Sequence, residues 1–251
     1  MVHVSTYCST PSRRAPYRLL RPISADPQGA SPVPDLQRWG GIAALVDAAA
    51  FIFGIALLLT RLAPMAEDSD PVATAAFLVD NQATVTLWYL VIYLVFGAFL
   101  VVLALALHER LAAGSSALMR VATAFGLIWA GLMFASGMVA NVGIEAVVGM
   151  HEGDPAAAAG LWTAVSTVID GLGGGNEIVG GLWVAMLSWA ALRAGGLPKG
   201  LTYLGLLVGL SGLVTVIPGL SALGIIFGLG CILWFLWLGV VLLRAGRSSP
   251  A

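Results

Sequence analysis

The sequence predicts an all-α membrane protein: a six-helix transmembrane bundle with both termini cytoplasmic, a disordered N-terminal tail and a short interfacial helix on the outer side. Three observations carry this. Of 251 residues, 59% are apolar and only 10% charged, against about 25% charged in an ordinary soluble domain. The mean hydropathy is +0.94, more apolar surface than a soluble fold can hide. The apolar residues fall into six uninterrupted runs separated by polar punctuation. Composition of this kind excludes a soluble enzyme, a nucleic-acid binder and a disordered regulator.

Residues 1–39 form the first region. Six prolines, several serines and five arginines leave no apolar stretch longer than a few residues, so the segment is expected to be a disordered, cytoplasmic Arg/Pro-rich tail. No 7–15-residue apolar core follows the basic start, so it is not read as a secretory signal. The Arg13-Arg14 pair lacks the apolar run that twin-arginine export needs. Residues 40–245 form the six-span domain, and 246–251 a short C-terminal tail.

A helix needs roughly 20 apolar residues to cross a ~30 Å hydrocarbon core. Six segments qualify: Gly41–Thr60, Val85–Leu107, Val121–Ala140, Leu172–Leu192, Leu201–Ile217 and Ala222–Leu243. None shows the alternation of a β-barrel strand. Placing the N-terminus inside puts eleven of the twelve Lys and Arg residues on the cytoplasmic side and leaves Arg61 outside, a strong positive-inside bias. The outer connections are acidic instead, with Glu67, Asp68, Asp70 and Asp80 in the first. Glu145, Glu152, Asp154 and Asp170 lie in the second. Trp39, Trp88, Trp162 and Trp189 fall near span ends and read as interfacial anchors. The 141–171 connection contains Ala156–Asp170, of helix-forming composition, expected to lie on or dip into the outer interface.

Polar residues inside spans mark the candidate site. Asp47 sits six residues into the first span, about 9 Å deep by helical rise, on a face shared with Ala43, Ala50 and Gly54. A charge in hydrocarbon costs at least about 2.5 kcal/mol, so this carboxyl is either a proton or cation relay or a partner in an interhelical hydrogen bond. Asn141 and Glu145 are spaced i, i+4 on the end of the third helix. Asn176 and Glu177 open the fourth after Gly171-Leu172-Gly173-Gly174-Gly175. They either cap that helix or join Asn141, Glu145 and Asp170 in an outward-facing polar pocket roofed by the interfacial helix.

Other chemistry is poorly served. His151-Glu152-Gly153-Asp154 is the one His-plus-carboxylate cluster, and no His recurs at metal-site spacing. No metal site, cofactor site or catalytic residue is assigned, and no nucleophile–base pair or phosphate loop is present. His108-Glu109-Arg110 reads as the polar end of the second helix. Gly205-x-x-x-Gly209 and Gly224-x-x-x-Gly228 read as close-packing faces within the hairpin of spans five and six. Cys8 and Cys231 have no evident way to pair. The expected partner is the lipid bilayer, with no nucleic acid. A homo-oligomer has no support in the sequence.

A set of motifs accompanies the spans: Arg38-Trp39-Gly40-Gly41, Leu107-His108-Glu109-Arg110-Leu111, Gly175-Asn176-Glu177-x-x-Gly180-Gly181-x-Trp183, Leu197-Pro198-Lys199-Gly200-Leu201 and the final Trp234–Leu243 helix. Over roughly residues 38–245 they resemble a bacterial six-helix membrane family known as domain of unknown function 4386. The resemblance implies a bacterial inner-membrane protein with six helices and no established activity or cofactor, and transfers no site residue.

The leading functional expectation is a multi-pass inner-membrane protein that is not a catalyst and whose polar residues serve packing. The alternative is a small secondary transporter or ion- or proton-coupled carrier using Asp47 and the outer Asn/Glu pocket. Spans 1–3 and 4–6 have opposite orientations, as an inverted repeat requires, though the halves share no sequence similarity. A third reading is an intramembrane enzyme with a carboxylate or metal site. An internal cavity reaching Asp47 or Glu177 would favour transport, and paired, dry carboxylates the first reading.

Overall fold

The computed structural model describes residues 36–67, 70–174, 176–217 and 219–246. The tail expected over 1–39 therefore lies outside the described residues up to position 35, as do Cys8, Asp68 and 247–251. Every regular element among the described residues is helical: α1 (Leu36–Thr60), α2 (Ala63–Glu67), α3 (Pro71–Asp80), α4 (Gln82–Tyr89), α5 (Phe96–His151), α6 (Pro155–Ile169), α7 (Asn176–Ala194), α8 (Lys199–Leu213) and α9 (Gly224–Gly246). π-Helical turns at Leu90–Val95 and Asp170–Gly174 join α4 to α5 and α6 to α7.

Six helical stretches are long and apolar enough to cross a membrane, as expected: Leu36–Thr60, Gln82–Ser115, Ala117–His151, Pro155–Ala194, Lys199–Val216 and Gly224–Ala245. We number these spans one to six. Span two ends in α5 and span three lies within it; that helix folds back at Ser115, where φ is −157° and ψ is 55°. The doubling shows in the packing partners: Gly97 faces Ala130 and Met133, Gly137 faces Leu94, and Gly126 faces Ala104.

The same antiparallel register closes the bundle. Gly40 of span one lies against Ala106 of span two, and Gly126 of span three against Trp183 of span four. Gly181 meets Gly209 across spans four and five, and Gly200 meets Trp237 across five and six. Gly41 meets Leu243 and Gly239 meets Leu45, so span six returns to span one. The result is a closed ring of six alternating helices. Small residues at each crossing let backbones approach closely, the route to helix association where lipid supplies no hydrophobic drive.

A belt of aromatic rings fills the middle of this ring. Phe51 packs on Phe96 at 5.3 Å, Phe96 on Trp129 at 5.3 Å and Trp129 on Trp183 at 5.8 Å. Trp183 packs on Trp234 at 5.9 Å, Trp234 on Phe235 at 5.3 Å, and Phe235 back on Phe51 at 6.2 Å. Mostly tilted or edge-on, these contacts suit ring quadrupoles and each adds about 0.5–1.5 kcal/mol beyond area burial.

Two ends are distinguishable by charge. Arg110, Arg120, Arg193, Lys199 and Arg244 lie at one, and Asp70, Asp80, Glu145, Asp154 and Asp170 at the other. At the basic end Arg110 Nε donates to Gly196 O (2.9 Å) and Gln37 Nε2 to Ala106 O (2.8 Å), tying spans one and two to the turn before α8. That turn uses Gly195 and Gly196 at φ of 79° and 91°, conformations that favour glycine. His108, read from the sequence as part of the polar end of the second helix, shares a 2.7 Å hydrogen bond between its Nδ1 and Thr123 Oγ1, joining spans two and three.

At the acidic end span three does not stop near residue 140. It stays helical to His151, so its 35 residues extend about 52 Å at 1.5 Å per residue. The segment anticipated as a helix over Ala156–Asp170 is helical from Pro155 to Ile169 and runs antiparallel along this extension, with Gly143 against Val165. Asp154 caps it through a 2.9 Å bond from Ala157 N to Asp154 Oδ1, with Pro155 at the first helical position.

Two sequence expectations are corrected by packing. Trp39 and Trp189 are half exposed at span ends, but Trp162 is buried and Trp88 donates from Nε1 to Gly54 O at 2.9 Å. Neither of the last two faces outward as an anchor. Likewise, the Gly205/Gly209 face turns chiefly toward α7, against Ser188 and Ala185. Gly228 forms no close helix contact, since a Cβ there would meet nothing within 4 Å, and Gly224 faces the Glu177 side chain.

Candidate functional site

The open space beside Gly228 belongs to a cavity of about 210 Å³ in the acidic half of the bundle. Its walls come from five of the six spans. Span one gives Ala50, Phe51, Gly54, Ile55 and Leu58, and span two Trp88, Ile92, Tyr93 and Phe96. Trp129 and Met133 of span three, Glu177 of span four, and Gly224, Phe227 and Gly228 of span six complete them. Spans one and six touch through Gly41 and Gly239 at the basic end, and both contribute walls to the cavity toward the acidic end.

The aromatic belt forms the floor, since Phe51, Phe96 and Trp129 belong to both. Glu177 is the one carboxylate in the lining, and no Lys or Arg accompanies it among the described residues. It stands in the first turn of α7. The positive end of the helix dipole favours an anion there. Gly224 leaves room for it: a Cβ there would lie 3.4 Å from Glu177 Oε1.

Asp47 lies one helical turn below Phe51 toward the basic end, on the other side of the belt. Its residue exposure is 0%, and neither carboxyl oxygen has a hydrogen-bond partner. Ala43, Ala50 and Gly54, expected on its face, are buried with it. Among the described residues, the interhelical hydrogen bond considered from the sequence is not formed.

Above the cavity, toward the acidic end, is a polar cleft of about 320 Å³. It is lined by Met65, Pro71, Thr74, Tyr89, Trp162, Thr163, Ser166 and Asp170. Tyr89 faces this cleft and Tyr93 the cavity, and their rings stack at 5.6 Å and 15°. The tyrosine pair is thus the partition between the two spaces. Polar groups therefore line up along the bundle: Asp170 in the cleft, Tyr89 and Tyr93, Glu177 in the cavity, the aromatic floor, then Asp47.

The remaining residues of the anticipated pocket lie elsewhere. Asn141 is half buried, with its Oδ1 enclosed and unpartnered, and Glu145 is exposed. Neither lines the cleft or the cavity. Their neighbours Met138, Val142 and Ala146 form an apolar groove against α6 instead. The backbone of Asn176 opens α7, and its side chain lies outside the described residues. Among the described residues, no three His, Cys, Asp or Glu side chains are grouped to hold a metal ion.

Sequence reasoning missed the floor and the partition. Signals for both were present: Phe51 follows Asp47 by one turn, and Tyr89 and Tyr93 are spaced i, i+4 within a span. Mid-span aromatics read as ordinary core until the helices that face each other are known.

Neither a curated protein nor a solved structure matches the chain. A family model described as Domain of unknown function (DUF4386) matches residues 39–246. That range takes in all six spans except the first three residues of α1, and it contains every wall of the cavity. The chain therefore belongs to the DUF4386 family.

Proposed function

We propose that this protein is a small-solute carrier of the bacterial inner membrane. Both termini are cytoplasmic and the acidic end faces outward. The cavity holds the solute, Glu177 anchors it, and Asp47 exchanges a proton or cation beneath the aromatic floor. α6 and the acidic end of span three lie at the outer interface, beside the cleft through which solute arrives. The chain moves its ligand without making or breaking a covalent bond in it.

The observation that carries this reading is the cavity itself. Membrane bundles are close-packed, and here several glycine crossings press backbones together while span six leaves a void beside a carboxylate. A purely structural role for the polar residues fits poorly with Asp47. A buried carboxyl without a partner lowers stability, so its retention points to exchange with a mobile ion. The aromatic floor is one layer of side chains thick, a barrier that rotamer changes or a small rocking of span one could open.

The test is reconstitution in vesicles loaded with a pH-sensitive dye. Cationic, anionic and neutral solutes of ten or so heavy atoms are added outside in turn. The expected result is accumulation of one solute class with a dye response, both lost in Asp47→Asn while the protein remains folded. Accumulation of none, or an unaltered dye response in Asp47→Asn, refutes the reading.

A further inference from the structure

We infer that the cavity selects a small lipophilic monocation, such as a quaternary or tertiary aromatic amine. This inference rests on the carrier reading and names its substrate class. Three features point the same way. First, the lining presents aromatic rings from four directions, namely Phe51, Trp88, Tyr93, Phe96, Trp129 and Phe227. Aromatic faces attract cations through their quadrupoles, and walls built mainly of them are how quaternary ammonium groups are recognised where water is scarce. An apolar solute alone would be served as well by Leu, Ile and Val, the commoner residues of these spans.

Second, the charge arrangement is one-sided. Glu177 supplies a negative charge at the acidic end of the cavity, and no basic residue among the described ones neutralises it. An anion entering this space would meet the carboxylate of Glu177 after passing that of Asp170 in the cleft. A dication would find one carboxylate and no second. A monocation is matched. Third, the size is small. The cavity measures about 210 Å³. Sites for drug-sized molecules run to about 300–1,000 Å³.

The probe is benzyltrimethylammonium, with neopentylbenzene as its neutral isostere, in which carbon replaces the charged nitrogen. Binding to the full chain in lipid nanodiscs is read from tryptophan fluorescence, because Trp88 and Trp129 stand in the cavity wall. Wild type should bind the cation at least ten-fold more tightly than the isostere. Glu177→Gln should weaken the cation by ten-fold or more and leave the isostere unchanged. Phe51→Leu, which keeps an apolar side chain but removes a ring, should weaken the cation several-fold. Gly228→Leu, placed in open space, should fold normally and bind neither.

Equal affinity for cation and isostere, or no effect of Glu177→Gln, overturns the cation assignment while the cavity reading stands. No binding of either probe to wild type, or undiminished binding to Gly228→Leu, overturns both.

Discussion

Two glycines that look alike in sequence should respond to the same substitution with opposite sign. Gly209 and Gly228 each end a Gly-x-x-x-Gly pair in a span. At Gly209 an added Cβ would lie 2.6 Å from both the Gly181 carbonyl oxygen and the Ala185 amide nitrogen. Those are backbone atoms, so α7 and α8 must separate to accommodate it. Overpacking of this kind costs about 1–3 kcal/mol, offset by about 1 kcal/mol of helix propensity that Ala gains over Gly. The net loss for Gly209→Ala should be up to about 2 kcal/mol. At Gly228 nothing lies within 4 Å, so Gly228→Ala keeps the propensity gain and should stabilise by up to about 1 kcal/mol. For a domain of this size each kcal/mol moves Tm by about 2–4 °C. Melting of the two variants in the same detergent should therefore diverge to either side of wild type. If Gly209→Ala melts at or above Gly228→Ala, the close crossing of spans four and five is wrong, and with it the contrast that identifies the cavity.

Asp47→Asn should fold with unchanged or higher Tm, since it removes the chance of an unpaired buried charge; a loss of several degrees would mean that the carboxyl has a structural partner. Arg110→Lys keeps the charge but not the geometry of the Nε bond to Gly196 O, so it should cost about 1 kcal/mol, measured by chemical unfolding, and equal stability would remove that tie. Asp154→Ala loses the cap of α6 and should raise deuterium exchange over residues 155–160, with about 1 kcal/mol less local protection; unaltered exchange would show that packing alone holds that turn. Topology is checked by thiol labelling in intact cells: Glu152→Cys should react from outside and Ala113→Cys only after lysis. Ala113 is used because a Cβ at neighbouring Gly114 would collide with Ala194.

The number of spans, their order and the family were legible in the sequence because each depends on local composition or on short motifs. The structure also explains the motifs. Gly40 and Gly41 admit Ala106 and Leu243, Gly180 admits Trp129 and Phe227, Gly200 admits Trp237, and Arg110 bonds the turn at Gly196. These motif positions thus maintain helix crossings and the turn before α8.

The site was legible only in part. Glu177 and Asp47 stood out because charge in a span is costly wherever it points. Their separation by an aromatic floor was not visible, since it depends on spans one, two, three and six meeting at Phe51, Phe96, Trp129 and Phe235. Asn141 and Glu145 share a helix face as their spacing requires, but the face they occupy was fixed by the continuation of span three to His151 and by α6 packing beside it. Periodicity identifies a face; only tertiary packing decides what the face meets. The two Gly-x-x-x-Gly pairs make the same point, one closing a crossing and the other lining a void.

A solute site at Glu177 requires that water reach the space beside Gly228 from the acidic end. Gly228→Cys, in a chain with Cys8 and Cys231 replaced by serine, should react with the impermeant cationic reagent 2-(trimethylammonium)ethyl methanethiosulfonate added outside intact cells. Ala48→Cys, fully buried beside Asp47, should not. Reaction of Gly228→Cys with membrane-permeant N-ethylmaleimide but not with the charged reagent would mean a space filled by lipid, and would contradict a solute site at Glu177.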